Sequence, residues 1–236
     1  MGKNKNNIEI QWVKPHNRGI IPIGKLYCSK SLKKFIKKNE YNISFNKNFK
    51  DVIFNCANRK TTWINSTIYE LFLDLHYQGF AHSVEVKKKE ILVGGLYGLS
   101  LGSVFFAESM FSITPNTSKL ALIAMMAKIN YGGYKVFDTQ FPSEHLSSLG
   151  GLSISENEFK KKLSYTFDES AEFNRFPKLK NWEQFLIMSI VWFCFRKSSK
   201  TSIQPPMSSL HRMCSVLLCA WIWWTLGKVD PEARMF

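Results

Sequence analysis

The period of the apolar positions changes several times along this chain, and each change marks an element. In CSKSLKKFIKK, residues 28 to 38, Leu32, Phe35 and Ile36 take one side while Lys30, Lys33, Lys34, Lys37 and Lys38 take the other. That is the spacing of an amphipathic helix behind a serine start. TTWINSTIYELFLDLHYQGFAHSVEV reads as a helix over about 66–78, with Thr67 and Glu70 at capping-box spacing and Gly79 as its stop, followed by a strand over 81–87. KKKE makes a charged turn into ILVGGLYGLSLGSVFFAESMFS, two strands rich in apolar and aromatic side chains. From Asn116, NTSKLALIAMMAKINYGGY has a polar start, an amphipathic body and a Gly132-Gly133 stop; KVFDTQF then forms a strand, and Ser143 caps a short helix, EHLSSLG. This order predicts an α+β fold, a mixed sheet with helices packed on its faces. From about Asn181 the texture changes: FLIMSIVWFCF and MCSVLLCAWIWWTL are strongly apolar but short of the roughly 20 residues a spanning helix needs. They fit core helices, a membrane-associating pair, or a stretch that did not evolve with the domain.

At 236 residues and 45% hydrophobic content, the chain can bury the core of one large domain or two small ones. Charge sharpens the picture. The formal net charge is +14, which favours an acidic partner such as nucleic acid or an anionic surface. Residues 1 to 50 hold twelve Lys or Arg against two acids, Glu9 and Glu40. The basic side of the 28–38 helix is therefore either a solvated face or one that follows phosphates. The five cysteines (Cys28, Cys56, Cys194, Cys214, Cys219) show no CxxC pair or zinc spacing, as expected of free thiols in a reducing cytoplasm. MGKNKNNIEIQW lacks the apolar stretch of a signal peptide.

Candidate chemistry sits inside the strands. Asp138 and Gln140 interrupt the apolar run KVFDTQF, and a buried carboxylate is costly unless something pairs with it or uses it. Two residues apart on a strand, they are expected to share one face about 7 Å apart, with Phe137, Thr139 and Phe141 on the other. Asp138 could also merely satisfy a turn or helix end. Glu108 in VFFAESMFS is a second acid among aromatics, the setting that raises a carboxyl pKa. Trp12 and Trp63 stand beside polar or basic residues, where an aromatic can stack on a base, although core packing is the commoner use of Trp. GxxxxGK[ST], HExxH and GxGxxG are absent, and the glycines of VGGLYGLSLG have the wrong spacing for a phosphate loop.

Taken together, WVKPHNRGIIP, SKSLKK, TTWI, LHYQGFAHSVE, LVGGLYGLSLG, FFAESMFS, SKLAL, GGYKVFDTQF and HLSSLGG resemble, in collinear order over roughly residues 8 to 163, the leucyl/phenylalanyl-tRNA-protein transferase family. The resemblance implies an acetyltransferase-like (GNAT-like) fold and transfer of Leu, Phe or sometimes Met from aminoacyl-tRNA to proteins beginning with Arg or Lys. The product is marked for degradation (N-end rule). On the matching positions, Trp12 and Trp63 would sandwich the terminal adenine of the tRNA. Leu96, Phe105, Met110, Leu122 and Phe137 would line the side-chain pocket, with support of the sheet from behind as the alternative for Phe137. Glu108 would hold the acceptor N-terminus, and Asp138 with Gln140 would drive the chemistry. Because a neutral amide is a poor proton acceptor, Asp138 is the expected base and Asp138→Asn is expected to remove most of the rate. The lysines at 30, 33, 34, 37 and 38 would grip phosphates without reading sequence.

The corresponding organisation is a basic, tRNA-binding segment over 1–60, a catalytic core over 61–170 and an atypical apolar tail over 171–236. The resemblance fades after about residue 170, and the chain begins close to the WVKP block, with Lys14 where a small or acidic residue is usual. A cytoplasmic monomer without metal, cofactor or membrane partner is expected. Three other readings stay open: an acetyltransferase using another acyl donor, although no [RQ]xxGx[GA] stretch is present; a non-catalytic RNA-binding protein; and a protein tethered to a membrane by its tail.

Overall fold

The computed structural model describes residues 13, 15–38, 40–59, 62–166, 169–179 and 181–190. In chain order these form β1 (Asn17–Ile21), α1 (Lys30–Lys37), β2 (Asn42–Phe45), α2 (Phe49–Ala57), α3 (Ser66–Tyr77), β3 (Ala81–Lys88), β4 (Ile91–Leu101) and β5 (Val104–Ser112). There follow α4 (Thr117–Tyr131), β6 (Val136–Gln140), α5 (Glu144–Ser147), β7 (Leu152–Ser155), α6 (Glu156–Ser164) and α7 (Trp182–Ile190). The apolar segment beyond residue 190, which includes MCSVLLCAWIWWTL, lies outside the described residues.

Local chemistry accounts for most boundaries. Ser29 caps α1, its hydroxyl oxygen accepting from the Leu32 N–H at 3.2 Å; Leu32 and Ile36 are buried, and Lys30, Lys33, Lys34, Lys37 and Lys38 are all exposed. The cap of α3 is not Thr67. Asn65 takes that place, its Oδ1 accepting from the Ile68 N–H at 2.9 Å, and Thr67 falls inside the first turn. Asn is as good an N-cap as Thr or better, so the helix begins at the first residue that can close its orphan donors. At the KKKE turn, Lys89 and Glu90 both have positive φ, 48° and 63°, the backbone of a tight hairpin whose twist matches the flanking strands.

The strands form one sheet in the order β2-β3-β4-β5-β6-β1-β7. Every neighbouring pair is antiparallel except β5 and β6, which are parallel because α4 crosses between them. Two buried apolar clusters cover its faces. One gathers Leu32, Leu96, Phe105 and Phe137 with Trp182 and Phe185 of α7 around α4, which is buried all round from Leu120 to Asn130 rather than along one face as expected, because the sheet covers one side and α7 the other. The other packs α2, α3 and α6 residues such as Ile53, Phe72 and Phe159 against Tyr97, Val104 and Phe106. This is the mixed sheet between helices that the pattern predicts. β1 and β2, from the basic N-terminal region, are strands of the same sheet.

Lys128 of α4 is an exception in the first cluster. It is buried, and its Nζ lies 4.7, 5.0 and 4.8 Å from the ring centres of Phe45, Phe173 and Phe176. The rings supply a cation–π environment, yet burial still pushes the amine pKa down to about 8. The folded state thus prefers the neutral amine, and the cost of holding the ammonium, fully present below pH 8, is relieved as pH rises toward the ordinary lysine value. Lys128→Met is expected to flatten that rise between pH 8 and 10, by on the order of 1 kcal/mol, in urea midpoints measured against pH. An unchanged slope would assign the pH dependence elsewhere.

Candidate active site

β5 and β6 run side by side for three pairs, Val104–Val136, Phe105–Phe137 and Phe106–Asp138, and pair no further. Just past that point each strand carries an extra residue against its other neighbour. On β5, Ala107 pairs with Gly98 and Ser109 with Tyr97, leaving Glu108 as the bulge. On β6, Asp138 pairs with Ile20 and Gln140 with Gly19, leaving Thr139 as the bulge. A bulge bends its strand and re-aims a side chain. Glycines make the room: a Cβ on Gly98 would lie 2.2 Å from the Phe106 carbonyl oxygen, and one on Gly19 would lie 2.6 Å from Thr139 Oγ1. The sheet is therefore forked, with Glu108 on one prong and Gln140 on the other.

Asp138 sits at the base of the fork, fully buried, in an ion pair with a residue to which the sequence reading assigns no role. Its Oδ1 accepts from Arg18 Nε at 2.9 Å and its Oδ2 from Arg18 Nη2 at 2.6 Å. The Gln140 N–H donates a third bond to Oδ1 at 3.0 Å. Arg18 is itself buried, its guanidinium 4.8 Å from the centre of the Phe159 ring. Burial pushes the Asp138 carboxyl above its ordinary value, while Arg18 and the Gln140 N–H act against that rise. The signal for Arg18 was available: a carboxylate in an apolar strand needs a cation, and Arg18 directly precedes the apolar GII of β1.

Two expectations change here. Simple alternation does not hold through KVFDTQF, because Thr139 bulges and Gln140 adopts a left-handed φ of 63°. Asp138 and Gln140 are joined instead through the Gln140 backbone. The expected role of Asp138 as a free base also fits poorly, since a bidentate guanidinium and an amide N–H occupy three of its acceptor positions.

Glu108 differs in each respect. It is half-buried at the fork, and burial raises its pKa to about 7, with the Asp138 charge adding to the rise and the Gln140 amide and Arg18 opposing it. The Gln140 side-chain amide bears on Glu108 as a hydrogen-bond donor, although its geometry falls short of a normal bond, and the Tyr97 hydroxyl is buried with no partner among the described residues. Glu108 and Cys56 both raise the Tyr97 pKa, secondary to burial. Such groups cost about 1–3 kcal/mol each when unmade, a cost tolerated most readily where a bound group can satisfy them. Tyr97 had no place among the sequence candidates because its ring reads as core, where it does pack edge-on against Phe72 at 5.0 Å.

The other candidates spread over both faces of the sheet. Trp63 is half-buried against the second cluster, just ahead of α3. Trp12 lies outside the described residues. Leu96, Phe105, Leu122 and Phe137 are fully buried in the first cluster, Phe105 and Phe137 stacked at 5.7 Å, and Met110 is partly buried against them. The structure thus puts Trp63 and the pocket residues on opposite faces, with the fork between β5 and β6 as the break in the sheet. Among the described residues no group of three or more His, Cys, Asp or Glu is placed to hold a metal ion, and no helix is long and apolar enough to cross a membrane.

Residues 20–164, which hold the fork, match the family described as Leucyl/phenylalanyl-tRNA protein transferase. A leucyl/phenylalanyl-tRNA–protein transferase of Ruegeria sp. (strain TM1040) is 43% identical over 173 residues, 73% of this chain and 82% of that protein. The chain belongs to this family. A second leucyl/phenylalanyl-tRNA–protein transferase, from Maricaulis maris (strain MCS10), is 40% identical over 181 residues, 75% of this chain and 84% of its own length. Among solved structures, FemX aligns with 65% of this chain and 62% of its own at 12% identity and a TM-score of 0.47, a likeness too slight to define the fold. Within the transferase, Trp63, Glu108, Asp138 and Gln140 all lie in the family match, and Arg18 lies two residues before it.

Proposed function

We propose that this aminoacyltransferase moves Leu, Phe or Met from aminoacyl-tRNA to the α-amino group of proteins beginning with Arg or Lys, and that the forked end of β5 and β6 is where the peptide bond forms. The product enters N-end-rule degradation in the cytoplasm. The observation that carries this reading is the fork itself: Glu108 and Gln140 on its two prongs, with Asp138 clamped at its base. A parallel pair that splays past a bulge suits an acetyltransferase-like core, in which one substrate enters between strands.

The aminoacyl ester is already activated, so the reaction asks for alignment and for a proton acceptor. Alignment of amine and ester contributes up to about 7–11 kcal/mol. In this reading Gln140 orients the amine through its carboxamide, and Asp138 holds the Gln140 backbone in its left-handed turn. Glu108 receives the cationic acceptor terminus. Trp63, with Trp12, stacks on the terminal adenine, and Leu96, Phe105, Met110, Leu122 and Phe137 shape the apolar side that prefers large side chains unbranched at Cβ. The exposed lysines of α1 attract tRNA phosphates, making residues 1–60 a tRNA-binding part of a body whose catalytic core is 61–170.

The test is transfer of labelled Leu or Phe from charged tRNA to a peptide starting with Arg, with a peptide starting with Glu as control. Product with Arg alone is expected; product with neither, or equally with both, overturns the reading. Loss of one base-stacking ring typically costs about 1–3 kcal/mol. Trp63→Ala is accordingly expected to raise the KM for aminoacyl-tRNA roughly 5- to 150-fold and to leave the KM for the acceptor peptide unchanged. A shift in the peptide KM instead would move Trp63 to the acceptor side.

A further inference from the structure

From the opposed bulges and the Arg18 clamp we infer that Glu108, rather than Asp138, is the group that takes the proton from the attacking amine. The inference rests on the transferase reading of the fork and names its base.

Three observations separate the two carboxylates. Asp138 is buried at the base of the fork, with Oδ1 bonded to Arg18 Nε and the Gln140 N–H and Oδ2 bonded to Arg18 Nη2. A proton arriving there would have to displace part of a bidentate charge-assisted pair, which lowers basicity where a base is wanted. Glu108 makes no ion pair among the described residues, keeps part of its surface open, and is aimed out of the strand by a bulge that Gly98 alone permits. The groups facing it are Asp138, Arg18 and Gln140 across the fork and the Tyr97 hydroxyl from β4, with Arg59 and Cys56 of the α2 end acting on Tyr97. Their balance leaves its pKa at about 7, close to the operating pH at which a general base serves best.

The step balances without a further reactant. The amine nitrogen attacks the ester carbonyl carbon and a C–N bond forms. Glu108 takes one proton from that nitrogen. The tetrahedral intermediate expels the ribose oxygen as the C–O bond breaks, and Glu108 returns the proton to that oxygen, regenerating its carboxylate. Gln140 holds the amine but carries no proton, and Arg18 and Asp138 are positioning residues that fix Gln140.

The experiment is single-turnover transfer to an Arg-starting peptide at saturating acceptor, from pH 5.5 to 9, by the parent, Glu108→Gln and Asp138→Asn. The acceptor amine titrates near 7.7–8.0 and is common to all three, so only a difference between profiles reports on the enzyme. Glu108→Gln is expected to lose about 10²–10⁴ in rate and the ionisation near pH 7. It is expected to bind a non-hydrolysable aminoacyl-adenosine as tightly as the parent, which checks that the fold is kept. Asp138→Asn is expected to be slower yet to retain an ionisation from Glu108, moved to lower pH because the Asp138 charge that helps raise it is gone. A Glu108→Gln rate within a few-fold of the parent, or an ionisation that survives in Glu108→Gln and disappears in Asp138→Asn, overturns the inference while leaving the transferase reading intact. Absence of Arg-dependent product from the parent enzyme overturns both.

Discussion

Replacing Arg18 with methionine is expected to cost about 3–5 kcal/mol of folding stability, the toll of leaving a buried carboxylate without its partner. Asp138 is wholly excluded from solvent and Arg18 almost so, and the Gln140 N–H cannot replace a guanidinium. Replacing both charges by apolar groups, as in Arg18→Met with Asp138→Leu, is expected to recover most of the loss, because burying a matched pair contributes little net stability even though breaking one is costly. Urea unfolding of the two single variants and the double variant closes the cycle. The sign with pH follows from the shifts. In Arg18→Met nothing cationic opposes the burial that raises Asp138. The folded chain therefore holds a proton over a range where the unfolded chain, titrating near 3.9, has released it. The deficit should be largest at neutral pH and shrink as pH falls toward 4. In Asp138→Asn no carboxyl is left at this position, so the side chain adds no pH dependence of its own to the stability of that variant. Equal and pH-independent costs for both variants would mean that the pair is not a charge pair in solution.

That pair also marks the limit of what could be read along the chain. Helix α1 was legible because period and cap agree, with Ser29 ahead of it. Helix α4 was legible from its Gly132-Gly133 stop, with Gly133 at a left-handed φ of 85°, but not from its period: it is buried all round from Leu120 to Asn130, and Asn116 makes no side-chain cap bond. The long strands were legible, β3 as the run after the Gly79 stop and β4 and β5 from length and aromatic content. β2 (NISF) and β7 (LSIS), four residues each, are too short for alternation to rise above their surroundings; they exist because β3 and β1 offer them an edge. A bulge is invisible in principle, since an extra residue in one strand is defined only by its partner's register. So the alternation argument placed Asp138 and Gln140 side by side on one face, and the Thr139 bulge with the left-handed Gln140 gives a different geometry between them. The Arg18–Asp138 contact spans 120 positions, and only the need of a buried acid for a cation hinted at it. The family resemblance carried the roles that no local pattern could, and Arg18 received none from it.

Gly98→Ala is the substitution that should most sharply separate activity from stability. The added Cβ would meet the Phe106 carbonyl oxygen at 2.2 Å and the Phe105 ring at 2.7 Å. The first of these is backbone in the adjacent strand and cannot rotate away. Relief requires the β4–β5 register to give way at the Gly98–Ala107 pair, next to the residue that bulges. Overpacking of this kind costs about 1–3 kcal/mol, which a chain with this much buried sheet can survive. The functional cost is expected to be larger: a shift of about 1 Å in a reacting group can lower rate roughly 10²-fold, and the bulge is what turns Glu108 into the fork. Gly79→Ala supplies the comparison. Its Cβ would meet nothing within 4 Å, but Gly79 has a φ of 83°, so it should cost about 1 kcal/mol of stability at a helix end that contributes no residue to the fork. Single-turnover transfer and thermal midpoints measured on both variants should show similar destabilisation and very different rates, with only Gly98→Ala losing transfer. If Gly98→Ala instead transfers within a few-fold of the parent, the bulge does not aim Glu108, and the case for that residue as base loses its geometric support.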